Sequence, residues 1–196
     1  MGSEMCIRDR FTFKAMPALA QVAPVFGLAL GFYDDDHILD VVVAQNFFGP
    51  QVETGRADGG VGLLLAGQGD GSFLPVAARE SGVVIPGDAT SLVSANLDAD
   101  PQPELIVATN DGPVTRLDTT DSVQLIAVQL QGKGANAEAV GAQVLAVYTD
   151  GTQHLTEVTS GGGYLSQSSR TTYLHVSDDR KPVSYTHLTL PTIYSV

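Results

Sequence analysis

FYDDDHILD (Phe32–Asp40) runs directly into VVVAQN, and NLDADPQPE (Asn96–Glu104) runs directly into LIVATN. The two stretches align without a gap at an offset of 64 residues, from position 32 to position 96. Asp34 then matches Asp98, Asp36 matches Asp100, Asp40 matches Glu104 and Asn46 matches Asn110. A fixed period predicts units that stack to bury a shared core. The aliphatic run after each acidic loop predicts a buried strand.

Working outward, each acidic loop is flanked by further strand signals. In the first unit Val25–Gly31 leads in, Leu39–Gln45 follows, and Gly60–Ala66 and Ser72–Ala77 complete a set of four. The Gly67-Gln-Gly-Asp-Gly71 turn joins the last two, because glycine admits the positive φ that tight hairpins need. A phosphate cradle is the rival use of such glycines, but no Gly-Lys-Ser/Thr follows. In the second unit Thr90–Ala95, Glu104–Thr109 and Pro113–Leu117 read as strands, and 47–58 reads as an exposed loop.

Composition fits this reading. Of 196 residues, 43% are hydrophobic, with 21 Gly, 10 Pro and no Trp, which favours short strands and many turns over long helices. The expected class is all-β. Lys plus Arg number 10 against 22 Asp plus Glu, a net charge of −12, so a nucleic-acid backbone would be repelled. The longest clean apolar stretch, 39–44, is broken by Asp40 and falls far short of the roughly 20 residues a bilayer requires, so no membrane insertion is expected.

The two ends read differently from the rest. MGSEMCIRDR (1–10) and VSYTHLTLPT (183–192) resemble in-frame translations of the two opposite sequencing adapters of one transposase-based library chemistry. The expected organisation is therefore 1–10 adapter-derived, 11–181 native and 182–196 adapter-derived, with neither end packing on the rest. The lone cysteine, Cys6, falls in the first adapter stretch, leaving neither a disulfide framework nor a thiol nucleophile in the native segment.

The acidic loops, their aliphatic strands and GVGLLLAGQGDGSF (60–73) resemble the FG-GAP or VCBS repeat family, over roughly 11–120. The resemblance implies about two four-stranded blades of an integrin-like β-propeller, with the remaining blades missing from this fragment. It also implies Ca²⁺ held by oxygens at positions one, three, five and nine of each loop and by a backbone carbonyl at seven. The second loop then offers Asn96, Asp98, Asp100, the Gln102 carbonyl and Glu104, a full oxygen set. The first offers Asp34, Asp36, the Ile38 carbonyl and Asp40, but has Phe32 at position one and His37 where glycine is usual, and reads as weakened. Alternating carboxylates repel one another, and a hard divalent cation relieves that repulsion. The metal-free alternative is that Asp and Asn simply cap turns through side-chain to backbone hydrogen bonds.

From Ser122 the acidic spacing stops and longer alternating strands are expected at Val123–Leu130, Val140–Tyr148, Gln153–Thr159 and Tyr173–Val176, with an Asp150-Gly151 hairpin turn. Asn136, Gly141-Ala142, the DGTQ turn and GGGYLSQSS (161–169) resemble the ASPIC/UnbV domain, which commonly follows FG-GAP repeats in secreted or surface proteins and in relatives of cartilage acidic protein. That assigns 121–181 to a small β domain lacking its last family segments.

For catalysis the residues offer little. His37, His154 and His175 are scattered, without His-Glu-x-x-His spacing. Ser166, Ser168 and Ser169 sit in no Gly-x-Ser-x-Gly elbow. Tyr164 and Gln167 could touch a ligand, or Tyr164 could merely cover a sheet. The expected function is thus non-enzymatic: a fragment of a secreted, periplasmic or cell-surface Ca²⁺-stabilised propeller protein that binds or adheres to protein or glycan partners. The alternative is an accessory region of a surface hydrolase or lyase whose catalytic part lies elsewhere.

Overall fold

The computed structural model describes residues 12–98, 100–119 and 123–188. These residues are almost wholly β, in several antiparallel sheets with no closed barrel among them, in keeping with the all-β expectation. β1 (Val25–Gly31), β2 (Asp40–Gln45), β3 (Leu63–Gly67) and β4 (Phe73–Val76) form one meander in chain order. A four-residue helix, α1 (Ala78–Ser81), follows and stops at Gly82, whose φ of 69° is the left-handed cap glycine supplies cheaply. Then β5 (Ala89–Ala95), β6 (Glu104–Thr109) and β7 (Thr115–Leu117) form a second sheet.

The two sheets share their construction at an offset of 64. β1 and β5 begin and end 64 residues apart, as do the starts and ends of β2 and β6. A bulge between Val25 and Gly27 has its counterpart between Ala89 and Ser91. The Asn46 amide donates to the Pro24 carbonyl, and the Asn110 amide to that of Asp88.

Why β2 sits at the centre follows from its sequence. All six residues, DVVVAQ, are buried, and both faces of the strand are apolar, so both must be covered. Val42 and Ala44 join Leu92, Leu105 and Val107 in the core between the sheets, while Val41 and Val43 pack with Leu63 and Leu65 on the other side. Fully burying one such aliphatic side chain contributes roughly 1.5–3 kcal/mol. The expected strand at Gly60–Ala66 begins only at Leu63, because Gly62 holds a φ of 77° against Ile85. The 47–58 connection is a loop with a single bridge, Phe47 to Ala57.

The remaining strands make two small sheets. β8 (Leu125–Val128) pairs with β11 (Thr172–His175), and β9 (Gln143–Tyr148) lies between β10 (Gln153–Glu157) and β12 (Pro182–Leu188). Alternation along β9 buries Val144, Ala146 and Tyr148, and the last two pack with Leu174 and Val128.

β12 corrects one expectation. The stretch from Pro182 on, assigned to adapter and expected not to pack, pairs with β9 from Tyr148 to Gln143. The cause is general: Val-Ser-Tyr-Thr-His-Leu is rich in strand-forming residues, and an edge of unpaired N–H and C=O groups accepts such a run. The register slips between Pro182 and Ser184, beside the residue that cannot donate to the ladder. Residues 1–10 lie outside the described residues.

Candidate functional site

The first acidic loop closes because β1 and β2 are antiparallel, which sets Gly31 opposite Asp40 and returns the chain to its starting point. Asp40 is wholly buried, and its carboxylate accepts from the Tyr33 amide at 2.9 Å and from the Gly67 amide at 2.9 Å. Gly67 is required there, since a Cβ would collide with the Leu39 carbonyl. Asp34 accepts from the Asp36 amide at 3.1 Å and Asp36 from the Ile38 amide at 2.8 Å, so successive Asx turns wind the loop. His37 takes the left-handed φ of 62° that the winding needs.

These turns bring Asp34, Asp36 and Asp40 together: one carboxylate oxygen of each lies within 4.8 Å of the others. No Lys or Arg pairs with them among the described residues. At an effective dielectric of about 20, two unit charges about 4 Å apart repel by about 4 kcal/mol. Burial, then the shared contact with Asp36 and the charge of Asp40, push Asp34 up to about 6. Burial also raises Asp40, partly offset by the Gly67 and Tyr33 amides.

The second loop repeats the wiring. The Leu97 amide donates to Glu104 at 2.7 Å, the Asp100 amide to Asp98 at 3.3 Å and the Gln102 amide to Asp100 at 2.9 Å, each 64 residues beyond its counterpart. Asp98, Asp100 and Glu104 again converge within 4.8 Å. Position 101 is a proline, which fixes a negative φ where His37 takes a positive one. The Asn96 side-chain amide donates to the Asp100 carbonyl, and the Gln102 side chain turns away to the Val123 carbonyl at 2.7 Å.

The charge around the second loop is different. Arg116 reaches in from β7, its Nη2 lying 2.7 Å from Asp98 and 2.9 Å from Glu104, while its Nε pairs with Asp118. The guanidinium holds Asp98 below the ordinary carboxylate range. A cation is thus already present among these carboxylates. Sequence reasoning missed Arg116, although the hairpin it expected would have located it: Arg116 stands opposite Ile106, two residues and hence one same-face step from Glu104.

Position one of the first loop serves packing instead of ligation. Phe32 is buried, with its ring 5.6 Å from each of the His154 and His175 rings of the C-terminal strands. His175 Nε2 lies 3.5 Å from Asp35, and burial depresses the basicity of both His154 and His175. Ser168 and Ser169 are tied to β5: the Ser94 amide donates to Ser168 Oγ at 3.0 Å, and the Ser169 amide donates to the Ser94 carbonyl at 2.8 Å.

The C-terminal motif residues shape their own segment. Asn136 donates to the Val140 carbonyl at 3.0 Å and accepts from its amide at 2.9 Å, Gly141 takes a φ of 83°, and Asp150 caps its turn by accepting from the Thr152 amide. Gly163 and Ser166 bridge across a tight turn that carries Tyr164 against Phe26, ring centroids 5.4 Å apart. Residues 132–185 match the ASPIC and UnbV family model. The matched stretch begins just before the Asn136 loop and includes the first residues of β12. No curated protein matches the chain. Within the matched stretch the buried Arg180 stacks 3.4 Å over the buried Tyr148 ring and approaches the exposed Asp150 at 3.3 Å, an arrangement with no sequence signal of its own.

Proposed function

We propose that the chain is part of an extracytoplasmic, Ca²⁺-stabilised β-propeller protein of the FG-GAP or VCBS type that binds or adheres to protein or glycan partners. The observation that carries the reading is the meeting of Asp34, Asp36 and Asp40 without a basic partner among the described residues. Its support is twofold. The donors are hard oxygens, which suit a hard divalent cation, and each of Asp34 and Asp36 uses one carboxylate oxygen for its turn, leaving the other oxygen for an ion. The common wiring of two stacked sheets at an offset of 64 is what blades would require, and the ASPIC/UnbV match points to an extracellular-type β domain.

Ca²⁺ would be held at the first loop by Asp34, Asp36, Asp40 and the Ile38 carbonyl, and at the second by Asn96, Asp98, Asp100, the Gln102 carbonyl and Glu104. What the ion supplies is positive charge that locks β1 to β2 and β5 to β6. Because Arg116 occupies that electrostatic role at the second loop, the first loop is the stronger site in this reading, although its position-one donor is Phe32. The test is calorimetric titration of the EDTA-treated chain with CaCl₂. Saturation at 100 times the dissociation constant stabilises by about 2.7 kcal/mol, so the melting temperature rises measurably. Asp36→Ala abolishes more of that rise than Asp100→Ala; an unchanged melting temperature and no heat at millimolar calcium would refute the metal.

A further inference from the structure

A cavity of about 520 Å³ lies where the first two sheets meet the ASPIC/UnbV segment. Its walls have an informative composition. A strand that presents its face to a cavity contributes every second residue, because successive side chains point to opposite sides. Here β1 contributes 28 through 31 in succession, and β10 with the residues after it contributes 154 through 159 in succession. Consecutive lining marks strand edges. Among the described residues β1 is bonded only to β2, and β10 only to β9, so each ends its sheet there. Two open edges therefore face one cleft.

A third edge at the same cleft, that of β5, is met by residues 168–169 of this chain: the Ser169 amide donates to the Ser94 carbonyl, and the Ser94 amide donates to Ser168 Oγ. Backbone groups of an edge strand at this rim thus already engage another stretch of chain, at one point. Leu28, Leu30 and Leu155, about half exposed, offer apolar contacts to alternate side chains of an incoming strand.

Charge selects the occupant. Arg170 in the lining is paired with Glu138 at 2.6 Å, whereas Glu157 accepts from the Gln143 amide group and meets no Lys or Arg among the described residues, so the acid of the lining is left without a cation. A second copy carries the same net −12 and is repelled. We infer that this cleft binds an extended, basic peptide segment of a partner protein, which adds as a strand between the edges of β1 and β10. The inference rests on the reading of the chain as a binding module and names its partner class.

The test is NMR titration of the full chain with a blocked Lys-Val-Lys-Val-Lys-Val peptide, with a Glu-Val analogue and a backbone N-methylated Lys-Val analogue beside it. It is run in EDTA and again in CaCl₂, so that loss of peptide binding is separable from loss of the calcium response. The Lys-Val peptide binds saturably and slows amide exchange at Leu28, Leu30, Leu155 or Glu157 by about tenfold or more. Leu30→Lys and Leu155→Lys, at exposed positions, weaken binding by about tenfold, and Leu74→Lys on β4 leaves it unchanged. No binding at millimolar peptide, equal binding of the Glu-Val or N-methylated peptide, or protection of the same amides by protein self-association without peptide would each overturn the inference.

Discussion

The loops at 32–40 and 96–104 share a backbone and differ in company. Three amide-to-carboxylate hydrogen bonds recur in each at the same offset, and three carboxylates converge in each. Yet one set faces no Lys or Arg among the described residues, and the other is clasped by Arg116. Alternating Asp residues fix the winding of a loop through its local hydrogen bonds. What that loop can hold is decided by a side chain brought in from another strand.

The sharpest way to break the comparison is at the anchoring carboxylates. Asp40→Ala leaves the buried amides of Tyr33 and Gly67 without an acceptor, at roughly 1–3 kcal/mol each, less what the removal of a repelling charge returns. Glu104→Ala orphans the Leu97 amide and releases a half-exposed arginine to water, so roughly 1–2 kcal/mol is expected. Urea denaturation in EDTA reads both, and equal losses would erase the distinction. Next in size, Arg116→Ala should make the second loop resemble the first: calcium affinity there, followed by calorimetry in an Asp36→Ala background, rises roughly tenfold. An unchanged affinity would mean that Arg116 does not compete.

The smallest effect concerns pH. Beside the first loop stands a histidine, His175, 3.5 Å from Asp35; beside the second stands an arginine, which does not titrate. Burial holds His175, and likewise His154, below the ordinary histidine value. The folded chain therefore binds fewer protons than the unfolded chain just below pH 6.5, so their contribution is complete above the unfolded value and is lost as the pH falls. Asp34, pushed up to about 6, and Asp40, also raised, act in the opposite sense, because the folded chain takes up their protons first. The histidine contribution is therefore read as a difference: between about pH 7 and pH 5 the melting temperature of His175→Leu falls less, or rises more, than that of the unsubstituted chain, and parallel curves would mean that His175 contributes nothing.

Much of the fold was legible because its signals are local. Val25–Gly31 and Glu104–Thr109 were bounded correctly from aliphatic runs with turn residues at each end, and the offset of 64 appears in strands, bulges and hydrogen bonds alike. The short helix at Ala78–Ser81 was not legible, since four residues carry no period. Arg116, the ring of Phe32 between two histidines, and the stacking of Arg180 on Tyr148 depend on how sheets dock, which one strand's pattern does not encode. β12 was misjudged because its origin was weighed and its strand propensity was not. At the candidate site the donors could be read directly, whereas the electrostatics required the neighbouring strand.

Gly27 has a role larger than its size. A Cβ on it would stand 2.5 Å from the Leu92 nitrogen and 2.7 Å from the Leu92 Cβ, so at this point β1 lies against the backbone of β5 with nothing between. One absent methyl group thus sets the spacing of the sheets. Any side chain there acts as a wedge, and the loosened wedge-side core would include Ala29, Val42 and Leu105 from three different strands. The pair of sheets is accordingly joined by direct backbone contact, and its core answers to one position in β1.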